Sequence, residues 1–302
     1  MATPLDISVI VPTRNRQREL QRCLRALSAQ TYSHDGFEVI VVDDGSDSSL
    51  EPAIAPFRES LRLRLIEKKN AGPARARNLG AEHAAGTLLA FTDDDCEPHP
   101  EWLAALNARF HQRPDRAIGG ETVNGLPENV YSTASQLLVD YLYDYYTRPT
   151  VQGVGADPTG RPFFTSNNLA VSAALFRRVG RFNESFPLAA GEDREFCDRW
   201  QECGYGLLSA PDANIRHLHA LSFATFWRQH VNYGRGAFQL RRARTERGAP
   251  PFGLEPLTFY GRLLTFPLRR AWSTRALFLI VLLGVSQVAN TLGFVLEMRR
   301  RS

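Results

Sequence analysis

Three adjacent carboxylates follow an apolar run in the segment TLLAFTDDDCEP, residues 87–98. Like charges placed side by side are unfavourable unless a positive charge compensates them. If the segment is extended, residues i and i+2 share a face, so the side chains of Asp93 and Asp95 converge while Asp94 points elsewhere. Mg²⁺ and Mn²⁺ prefer carboxylate and phosphate oxygens, so the triplet predicts a divalent metal site. The alternative is a solvated acidic turn after a strand.

A second acidic segment, VVDDGS at residues 41–46, ends in a Gly-Ser pair that turns the chain. A carboxylate of Asp43 or Asp44 at this point accepts hydrogen bonds from a base N–H or from ribose hydroxyls. The alternative is a helix N-cap, since Asp and Ser cap helices well. Both interpretations hold together if Ser46 or Asp47 caps a helix while Asp44 binds a ligand.

The segment NAGPARARNLG, residues 70–80, places Arg75 and Arg77 near the start of a predicted helix. The dipole and the free N–H groups of a helix N-terminus favour an anion there. Phosphate is the anion that two nearby arginines suggest. The alternative is an exposed helix face on which both arginines form ion pairs.

These polar segments follow predicted strands. Short Val- and Ile-rich runs are typical of strands buried on both faces of a parallel sheet. They alternate with helical patterns, which predicts a doubly wound α/β layer that binds ligands at the carboxyl ends of its strands. The predicted strands cover residues 6–13, 37–44, 61–69 and 87–93, and the predicted helices cover residues 18–30, 72–86 and 100–112. The polar residues at the strand ends are Thr13, Arg14, Asn15, Asp43, Asp44, Asp93, Asp94 and Asp95.

The pattern changes beyond residue 120, where longer helical patterns appear. In the segment IRHLHALS, residues 215–222, polar and apolar residues alternate. The side chains of His217 and His219 therefore point the same way if this segment is a strand. Two more helices are predicted over residues 131–146 and 191–204, and an extended segment over residues 161–172.

The composition indicates an ordinary globular protein of 302 residues, which is enough for one large domain or two small ones. Its four cysteines are scattered without a C-x-x-C pair, which indicates a reduced, cytosolic setting. The N-terminus lacks the pattern of a secretory signal. Residues 216–302 contain 14 arginines and three acidic residues, whereas the preceding part carries more acids than bases. The basic C-terminal part predicts anionic ligands or anionic lipid as partners.

Five segments together resemble family 2 glycosyltransferases of the GT-A fold, in their order and in their spacing. They are SVIVPTRNR, VVDDGS, NAGPARARNLG, FTDDDCEP and GEDREFCDRW. The resemblance covers about residues 6–236 and implies an α/β fold of GT-A type, a Rossmann-like, mostly parallel sheet flanked by helices. It implies a catalytic domain at residues 1–236. The remaining residues, 237–302, form a basic and hydrophobic helical segment that we predict to be membrane-associated.

The resemblance also implies roles for residues at matching positions. Asp193 in the GED segment matches the family's catalytic base, unless it and Glu192 only cap the helix that follows. The implied metal ligands are Asp93, Asp95, His217 and His219, and the sequence does not decide between the two histidines. The implied nucleotide-binding residues are Pro12, Thr13, Arg14, Asn15, Asp43, Asp44, Asn70, Arg77, Asp93 and Asp94. The residues expected near the sugar or acceptor are Asn167, Asn168 and Glu192, although both asparagines are equally compatible with buried amides that bind backbone groups.

The implied reaction is an inverting sugar transfer that uses Mn²⁺ or Mg²⁺ as cofactor. The metal and Arg77 neutralise the charge that grows on the departing diphosphate. Asp193 takes a proton from the acceptor hydroxyl as that oxygen attacks the anomeric carbon from the opposite face. The resemblance favours a UDP- or dTDP-sugar as donor, with UDP first. Together with the C-terminal segment, it predicts a cell-envelope glycan or a lipid-linked acceptor at the cytoplasmic side of the cell membrane.

Two other functions are compatible with a similar fold. A sugar nucleotidyltransferase also has an acidic metal site, but it usually carries a Gly-rich loop after the first strand, and PTRNRQREL has no glycine. A non-catalytic nucleotide-sugar-binding protein would tolerate the loss of Asp193 or of the paired aspartates, yet all of these acids are present. Nucleic acid is not an expected partner, because the arginines of residues 233–248 are not interleaved with aromatic stacking platforms.

Residues 276–296 form an uncharged stretch of about the length that crosses a bilayer. Within it Gly284, Gln287, Asn290 and Thr291 recur at helical spacing, which suits a membrane helix packed on a neighbour or a helix on a membrane surface. Arginines flank the stretch on both sides, so the positive-inside rule gives no orientation. The sequence leaves open a crossing, a hairpin that dips into the cytosolic leaflet, and a buried helix or dimer contact.

Overall fold

The computed structural model describes residues 5–147, 161–186, 188, 190–250, 253, 255–269 and 272–301. The chain forms two compact units that do not follow the linear order of the sequence. The first unit contains residues 1–123, 164–187 and 196–218, and the second contains residues 124–163, 188–195 and 219–302. The boundary predicted between residues 236 and 237 lies inside a helix of the second unit. A functional division into a catalytic domain and a tail at that point stays a prediction.

An eight-stranded mixed sheet forms the centre of the first unit. Its strands are β1 (Ile7–Thr13), β2 (Phe37–Asp43), β3 (Leu63–Glu67), β4 (Leu88–Phe91), β5 (Cys96–Pro98), β6 (Ala117–Asn124), β7 (Leu169–Ser172) and β8 (Leu207–His217). Their order in the sheet is β3-β2-β1-β4-β7-β6-β8-β5. Neighbours from β3 to β4 run parallel, whereas β7 is antiparallel to β4 and β6, and β8 to β5. The predicted α/β fold is confirmed, with its parallel part confined to four strands.

Strands β1, β2 and β4 are buried on both faces, which is why they are rich in apolar residues, whereas the edge strand β3 is partly exposed. On one face Leu20 and Leu24 of helix α1 (Gln17–Ser28) share a buried cluster with Val9 of β1. On the other face Ile40 of β2 packs with Ala76 of helix α3 (Pro73–Glu82). The helices of the first unit are α1 (Gln17–Ser28), α2 (Glu51–Ile54), α3 (Pro73–Glu82), α4 (Trp102–Gln112) and α6 (Ala173–Val179).

Helix α3 begins at Pro73, as predicted, but it ends at Glu82 and does not reach Gly86. A Cβ atom at Gly86 would lie 2.6 Å from backbone atoms of Ile7 and Ser8. The chain therefore passes directly against strand β1 at this point. The glycine serves this close approach and not the end of the helix.

The acidic triplet lies in a turn. Strand β4 ends at Phe91 and strand β5 begins at Cys96, and the N–H of Cys96 donates to the carbonyl oxygen of Asp93 at 3.1 Å. The side-chain alternation expected of an extended chain does not apply to this segment.

The second unit is helical in the part that the structure describes. Its helices are α5 (Val130–Leu142), α8 (Phe223–Glu246), α9 (Leu257–Thr265) and α10 (Thr274–Arg301). Helix α7 (Glu192–Glu202) begins in this unit and continues in the first. The predicted alternation over residues 215–222 holds only to His217, where β8 ends. Ser222 and Thr225 then form a capping box that starts α8.

Helices α8 and α10 approach each other closely through two glycines. A Cβ atom at Gly234 would lie 1.9 Å from the carbonyl oxygen of Asn290, and one at Gly293 would lie equally close to a carbonyl oxygen of α8. The polar stripe predicted on α10 is therefore only partly the packing face. Asn290 lies at the contact, whereas a Cβ atom at Gly284 would meet no described residue within 4 Å, and Thr291 is exposed.

A buried histidine in α8 makes the stability of the protein depend on pH. His230 packs against the rings of Phe226 and Tyr233, and in the described part of the chain neither of its ring nitrogens has a hydrogen-bond partner. Burial lowers the pKa of His230 to about 3, against about 6.5 in an unfolded chain. Between these values the unfolded state binds one proton more, so the free energy of unfolding falls as the pH drops below about 6.5.

We expect the substitution His230→Phe to remove this loss, which amounts to about 2 kcal/mol at pH 5. Urea unfolding of the wild type and the variant between pH 7.5 and pH 5 measures it. The exposed His83, replaced by Gln, is the control and should keep the wild-type pH dependence. An unchanged pH dependence in His230→Phe would contradict the prediction.

Candidate active site

Two arginines of the first unit compensate the acidic turn. Asp93 accepts a 2.6 Å hydrogen bond from Nη2 of Arg77, a residue of α3 whose side chain is buried. Asp94 accepts hydrogen bonds from Oγ1 of Thr13 at 2.7 Å and from Nη1 of Arg16 at 2.9 Å. The protein itself thus provides positive charge on both sides of the triplet.

Asp95 lies between an arginine and a histidine. Its Oδ2 accepts a hydrogen bond from Nη2 of Arg16 at 2.9 Å, and its Oδ1 lies 3.2 Å from Nε2 of His217. The antiparallel pairing of Cys96 with His217 brings the end of β8 beside the turn. The backbone register of β5 and β8 therefore fixes the Asp95–His217 pair.

Asp94 and Asp95 point to one guanidinium, because Arg16 binds both carboxylates. Asp93 accepts its hydrogen bond from Arg77. Asp94 therefore does not point away from Asp95, as the pattern of an extended chain predicted, because the segment is a turn. A convergence of Asp93 with Asp95 stays a prediction.

These contacts set the charges at the turn. Burial raises the pKa of Asp94 to about 7, although Arg16 opposes the effect. Burial lowers the pKa of Arg16, but Asp95 and Asp94 raise it by more, so that this guanidinium is charged. Burial also lowers the pKa of His217, and Asp95 outweighs that effect, so the net change is an increase. Arg16 and His217 thus both interact with the charge of Asp95.

The donor set at the end of β8 fits a divalent metal ion. Asp95 offers a carboxylate oxygen, the ligand that hard cations prefer, and His217 offers an imidazole nitrogen, a common ligand of transition metals. His219 follows two positions along the chain and begins the last segment of the second unit, where its carbonyl oxygen accepts a hydrogen bond from Ser132. The first unit alone thus brings one carboxylate and one imidazole within ligand distance of a common point.

Asp44 directly follows β2, and both of its carboxylate oxygens accept hydrogen bonds. Oδ1 accepts from Nζ of Lys68 and from the N–H of Ala71 at 2.9 Å. Oδ2 accepts from the N–H of Gly72 at 2.9 Å and from Nδ2 of Asn70 at 3.3 Å. A carboxylate has about four acceptor positions, and these four donors occupy them.

The PTRN loop is tied to the loop after β2. Asn15 has a φ of 56°, and its side chain donates to Asp47 and accepts from the N–H of Asp47, both at 2.8 Å. Arg14 donates to the carbonyl oxygen of Gly45 at 3.3 Å. Gly45 has a φ of 80°, and a Cβ atom there would lie 2.7 Å from the nitrogen of Asn70, so only glycine fits. The two loops form one connected edge.

The last residues of β1 and β2 lie side by side at this edge. Pro12 pairs with Val42, and Thr13 pairs with Asp43. Oδ1 of Asp43 accepts hydrogen bonds from the N–H and the hydroxyl of Ser46, at 2.9 and 2.6 Å. The structure thus brings three of the predicted nucleotide-binding residues, Pro12, Thr13 and Asp43, to neighbouring strand ends.

The two arginines of α3 have different surroundings. Arg75 forms an exposed ion pair with Glu184 at 2.8 Å, which is the alternative interpretation of that residue. Arg77 is buried and faces Asp93. Only Arg77 lies at the acidic turn.

The amide of Asn168 connects three elements of the first unit. Its Nδ2 donates to the carbonyl oxygens of Ala213 at 2.9 Å and Glu121 at 3.1 Å, and its Oδ1 accepts from Nε1 of Trp102 at 2.9 Å. These contacts fit the alternative interpretation, a buried amide that binds backbone groups. Asn167 accepts one hydrogen bond, from Thr165 at 2.8 Å. A sugar or acceptor contact of either asparagine stays a prediction.

Asp193 lies in the first turn of α7, in the second unit. Its Oδ1 accepts from the N–H of Arg194 at 2.7 Å, and the adjacent Glu192 is buried. Arg247 donates to the fully buried Glu195 at 2.6 Å. This ion pair fixes the first turn of the helix, and with it the position of Asp193.

The loop before α7 is packed tightly within the same unit. A Cβ atom at Gly236 of α8 would lie 2.2 Å from the carbonyl oxygen of Ala190, so a larger residue would displace the loop. The guanidinium of Arg194 lies over the ring of Phe163 at 4.7 Å and over that of Tyr146 at 5.8 Å. Asp193 is therefore presented by a helix start that is fixed on several sides.

Two residues of this site were not predicted, Arg16 and Lys68. Arg16 directly follows PTRN, and Lys68 precedes NAG in the segment EKKNAG. The signal that could have identified them is a basic residue next to a segment that binds anions. Only the fold shows that each of them meets an aspartate from a different strand end.

Known proteins are similar to this chain in sequence and in fold. The family model described as Glycosyl transferase family 2 matches residues 8–180. Glycosyltransferase AglE of Haloferax volcanii is 30% identical over 237 residues, which cover 78% of this chain and 73% of AglE. Validoxylamine A glucosyltransferase of Streptomyces hygroscopicus is 29% identical over 209 residues, 63% of this chain and 46% of that enzyme. The chain thus spans about half the length of the latter relative.

A solved structure with a similar fold is the mannosyltransferase PcManGT of Pyrobaculum calidifontis in complex with GDP-Man and Mn²⁺. It is 20% identical, with a TM-score of 0.62, and the match covers 96% of this chain and 89% of that one. At this identity the similarity concerns the fold alone.

Proposed function

The chain belongs to glycosyltransferase family 2, and we propose that it transfers a sugar with inversion from a nucleoside-diphosphate sugar, with UDP as the carrier, to a hydroxyl group. Membership in the family confirms the resemblance seen in the sequence. It also favours glycosyl transfer from a nucleotide sugar over the nucleotidyltransferase and the non-catalytic binding protein. The carrier, the inversion and the residues of the site belong to the proposal.

The observation that carries the proposal is the acidic turn with Arg77 and His217 beside it. A divalent ion held by Asp95, His217 and His219 would neutralise negative charge on the departing diphosphate. We favour Mn²⁺ over Mg²⁺, because Mg²⁺ prefers oxygen ligands alone whereas an imidazole suits a transition metal. Asp93 has a different part in this proposal, since it orients the guanidinium of Arg77.

The other residues bind the donor and move one proton. Arg77 places a charged guanidinium against the diphosphate oxygens. Asp193 accepts the proton of the acceptor hydroxyl on a carboxylate oxygen, while that hydroxyl attacks the anomeric carbon and the bond to the diphosphate breaks. The proposed contacts to the base, the ribose and the phosphates come from the connected loop edge, with Pro12, Thr13, Arg14, Asn15, Asp43, Asp44, Lys68 and Asn70. Glu192 and Asn167 are proposed near the sugar or the acceptor.

The acceptor is proposed to be a cell-envelope glycan or a lipid-linked molecule at the cytoplasmic side of the membrane. Within the described residues, one helix, Thr274–Arg300, is long and apolar enough to span a membrane by its length and composition. The arginines of residues 216–302 would attract anionic headgroups. Both observations support membrane association of this enzyme.

Nucleotide binding tests the carrier and the metal together. We expect UDP with Mn²⁺ to raise the melting temperature by about 5 °C at a ligand concentration of about 100 times Kd. GDP, dTDP and ADP, and UDP with EDTA, should give smaller shifts. The measurement is a thermal-shift panel of the four nucleotides with and without Mn²⁺.

The variant Asp95→Asn is the matched control for this panel, since it should lose the part of the shift that depends on metal. A larger shift with GDP would show that the carrier is wrong while the fold of the site is right. Equal shifts with Mn²⁺ and with EDTA would show that no metal takes part in binding the diphosphate.

A further inference from the structure

Helix α10 has one face buried in the second unit and another that is exposed and apolar. The buried face is formed by small and apolar residues with two polar exceptions, and it includes Ala276, Leu279, Leu283, Ser286, Ala289 and Glu297. The exposed face recurs mainly at steps of one or two helical turns, and it includes Leu277, Val281, Val288, Leu292, Leu296 and Met298. We call these six exposed residues the apolar stripe. From Leu277 to Met298 it is about 30 Å long, at about 1.5 Å per residue.

The buried face ties α10 to charged and polar neighbours of its own unit. Glu297 is 3% exposed and accepts a 3.0 Å hydrogen bond from Gln239 of α8. Arg241 and Arg242, two and three residues after Gln239 in α8, are exposed. At its other end α10 contacts α5, and Arg275 donates to backbone near the start of that helix. If α10 crossed the bilayer, it would either lose its contacts with these partners or bring their charged groups into the hydrocarbon region, where charges are costly.

Positive charges lie at both ends of the apolar stripe. Arg275 precedes it, Arg299 and Arg300 follow it, and all three are exposed. Trp272, which comes just before the helix, is 84% exposed. Exposed tryptophan and arginine at the ends of an apolar helix face are typical of segments that lie at the boundary between headgroups and acyl chains.

We propose that the apolar stripe docks onto the surface of a bilayer that contains anionic lipid, with α10 lying in the membrane plane and not crossing it. The six side chains of the stripe enter the acyl region, and the flanking arginines contact lipid phosphates. This proposal deepens the membrane association in the proposed function and rests on it, but it does not depend on the chemistry assigned to the aspartates. It decides among the arrangements that the sequence left open.

Sedimentation of the full chain with lipid vesicles tests the proposal. We expect binding to vesicles of phosphatidylcholine with one-third phosphatidylglycerol, and at least tenfold weaker binding to phosphatidylcholine alone, because the arginines require anionic lipid. The double variant Val281→Glu/Val288→Glu should bind anionic vesicles at least tenfold more weakly than the wild type. The circular dichroism spectrum and the binding of UDP with Mn²⁺ should not change, since both side chains are exposed.

The control is Ala55→Glu/Gln112→Glu, which makes a similar change of charge at exposed positions of the first unit. It should bind vesicles within about twofold of the wild type. If both double variants lose binding equally, the effect is one of net charge and the stripe is not the docking surface. If the wild-type protein binds vesicles but does not turn over a nucleotide-sugar donor, the proposed function is overturned and this inference still holds.

Two further results separate the possible occupants of the stripe. Extraction of bound protein with alkaline carbonate should release it from the vesicles, and retention in the pellet would show that α10 crosses the bilayer. Light scattering without vesicles should give the mass of a monomer. A stable dimer that the Val281→Glu/Val288→Glu variant dissociates would show that a second copy covers the stripe.

Discussion

The variant Asp193→Asn is expected to lower kcat of sugar transfer by about 10²–10⁴-fold, while the affinity for UDP with Mn²⁺ stays within about twofold. Removing a positioned general base costs about this much, because an amide has the size of the carboxylate but does not accept the proton. The start of helix α7 should keep its structure in the variant, since the Glu195–Arg247 ion pair and the packing at Gly236 do not involve the side chain of residue 193. Nucleotide release assayed with saturating donor gives kcat, and the thermal-shift panel gives binding.

The matched control is Glu202→Gln, which removes the same charge from an exposed position near the end of the same helix. It should leave kcat within about twofold. If Asp193→Asn transfers sugar at a rate within threefold of the wild type, another group takes the proton, and Asp193 only caps α7. If both variants lose activity and the melting temperature falls, the helix and not the base is responsible.

The strands that carry the site could be predicted because their burial leaves a local signal. Strands β1 and β2 were predicted over residues 6–13 and 37–44, within one residue of their observed ends. Both faces of these strands are covered, so apolar residues predominate in each up to the polar residues at its end. The buried exceptions, Ser8 and Glu38, form a hydrogen bond with each other. The strand ends, and therefore the edge at which Thr13 and Asp43 meet, follow from that pattern and from parallel pairing.

The partners of the aspartates could not be predicted, because they come from distant parts of the chain. Arg16 reaches Asp94 and Asp95 only through the pairing of β1 with β4 and the turn that follows β4. The turn itself left no signal that distinguishes it from an extended acidic segment. The same holds for Asn168, whose amide is fixed by Trp102 and by strands that come from other segments.

The C-terminal helix α10 is a further case in which contacts with a distant part of the chain could not be predicted from the sequence. Its length and its apolar character are evident in the sequence, and the structure has a helix over Thr274–Arg301. Which side is covered depends on the close approach at Gly234 and Gly293. A sequence of apolar residues on all sides does not contain that information, since only the partner helix makes one face different from the other.

The substitution Asp95→Asn should weaken binding of Mn²⁺ by at least tenfold and lower kcat by about 10²–10³-fold. Asp95 is the carboxylate that faces the imidazole of His217, and a neutral amide oxygen is a much weaker ligand for a divalent ion. The charge that the ion would neutralise on the diphosphate then remains in the transition state. Titration of Mn²⁺ followed by its electron paramagnetic resonance signal measures binding independently of turnover. EDTA should abolish turnover of the wild type, and added Mn²⁺ should restore it.

The neighbouring carboxylate provides the discriminating control. Both oxygens of Asp94 are occupied by Thr13 and Arg16, so Asp94→Asn should lower the free energy of unfolding and leave the affinity for Mn²⁺ within about threefold. If the two variants weaken Mn²⁺ binding equally, the ion is attracted by the total negative charge of the turn, and Asp95 is not its specific ligand. If neither weakens binding and EDTA leaves turnover intact, Arg16 and Arg77 alone neutralise the diphosphate. The two guanidiniums already lie against the triplet, so they could supply the positive charge without a metal ion. The titration of Mn²⁺ therefore distinguishes the two mechanisms.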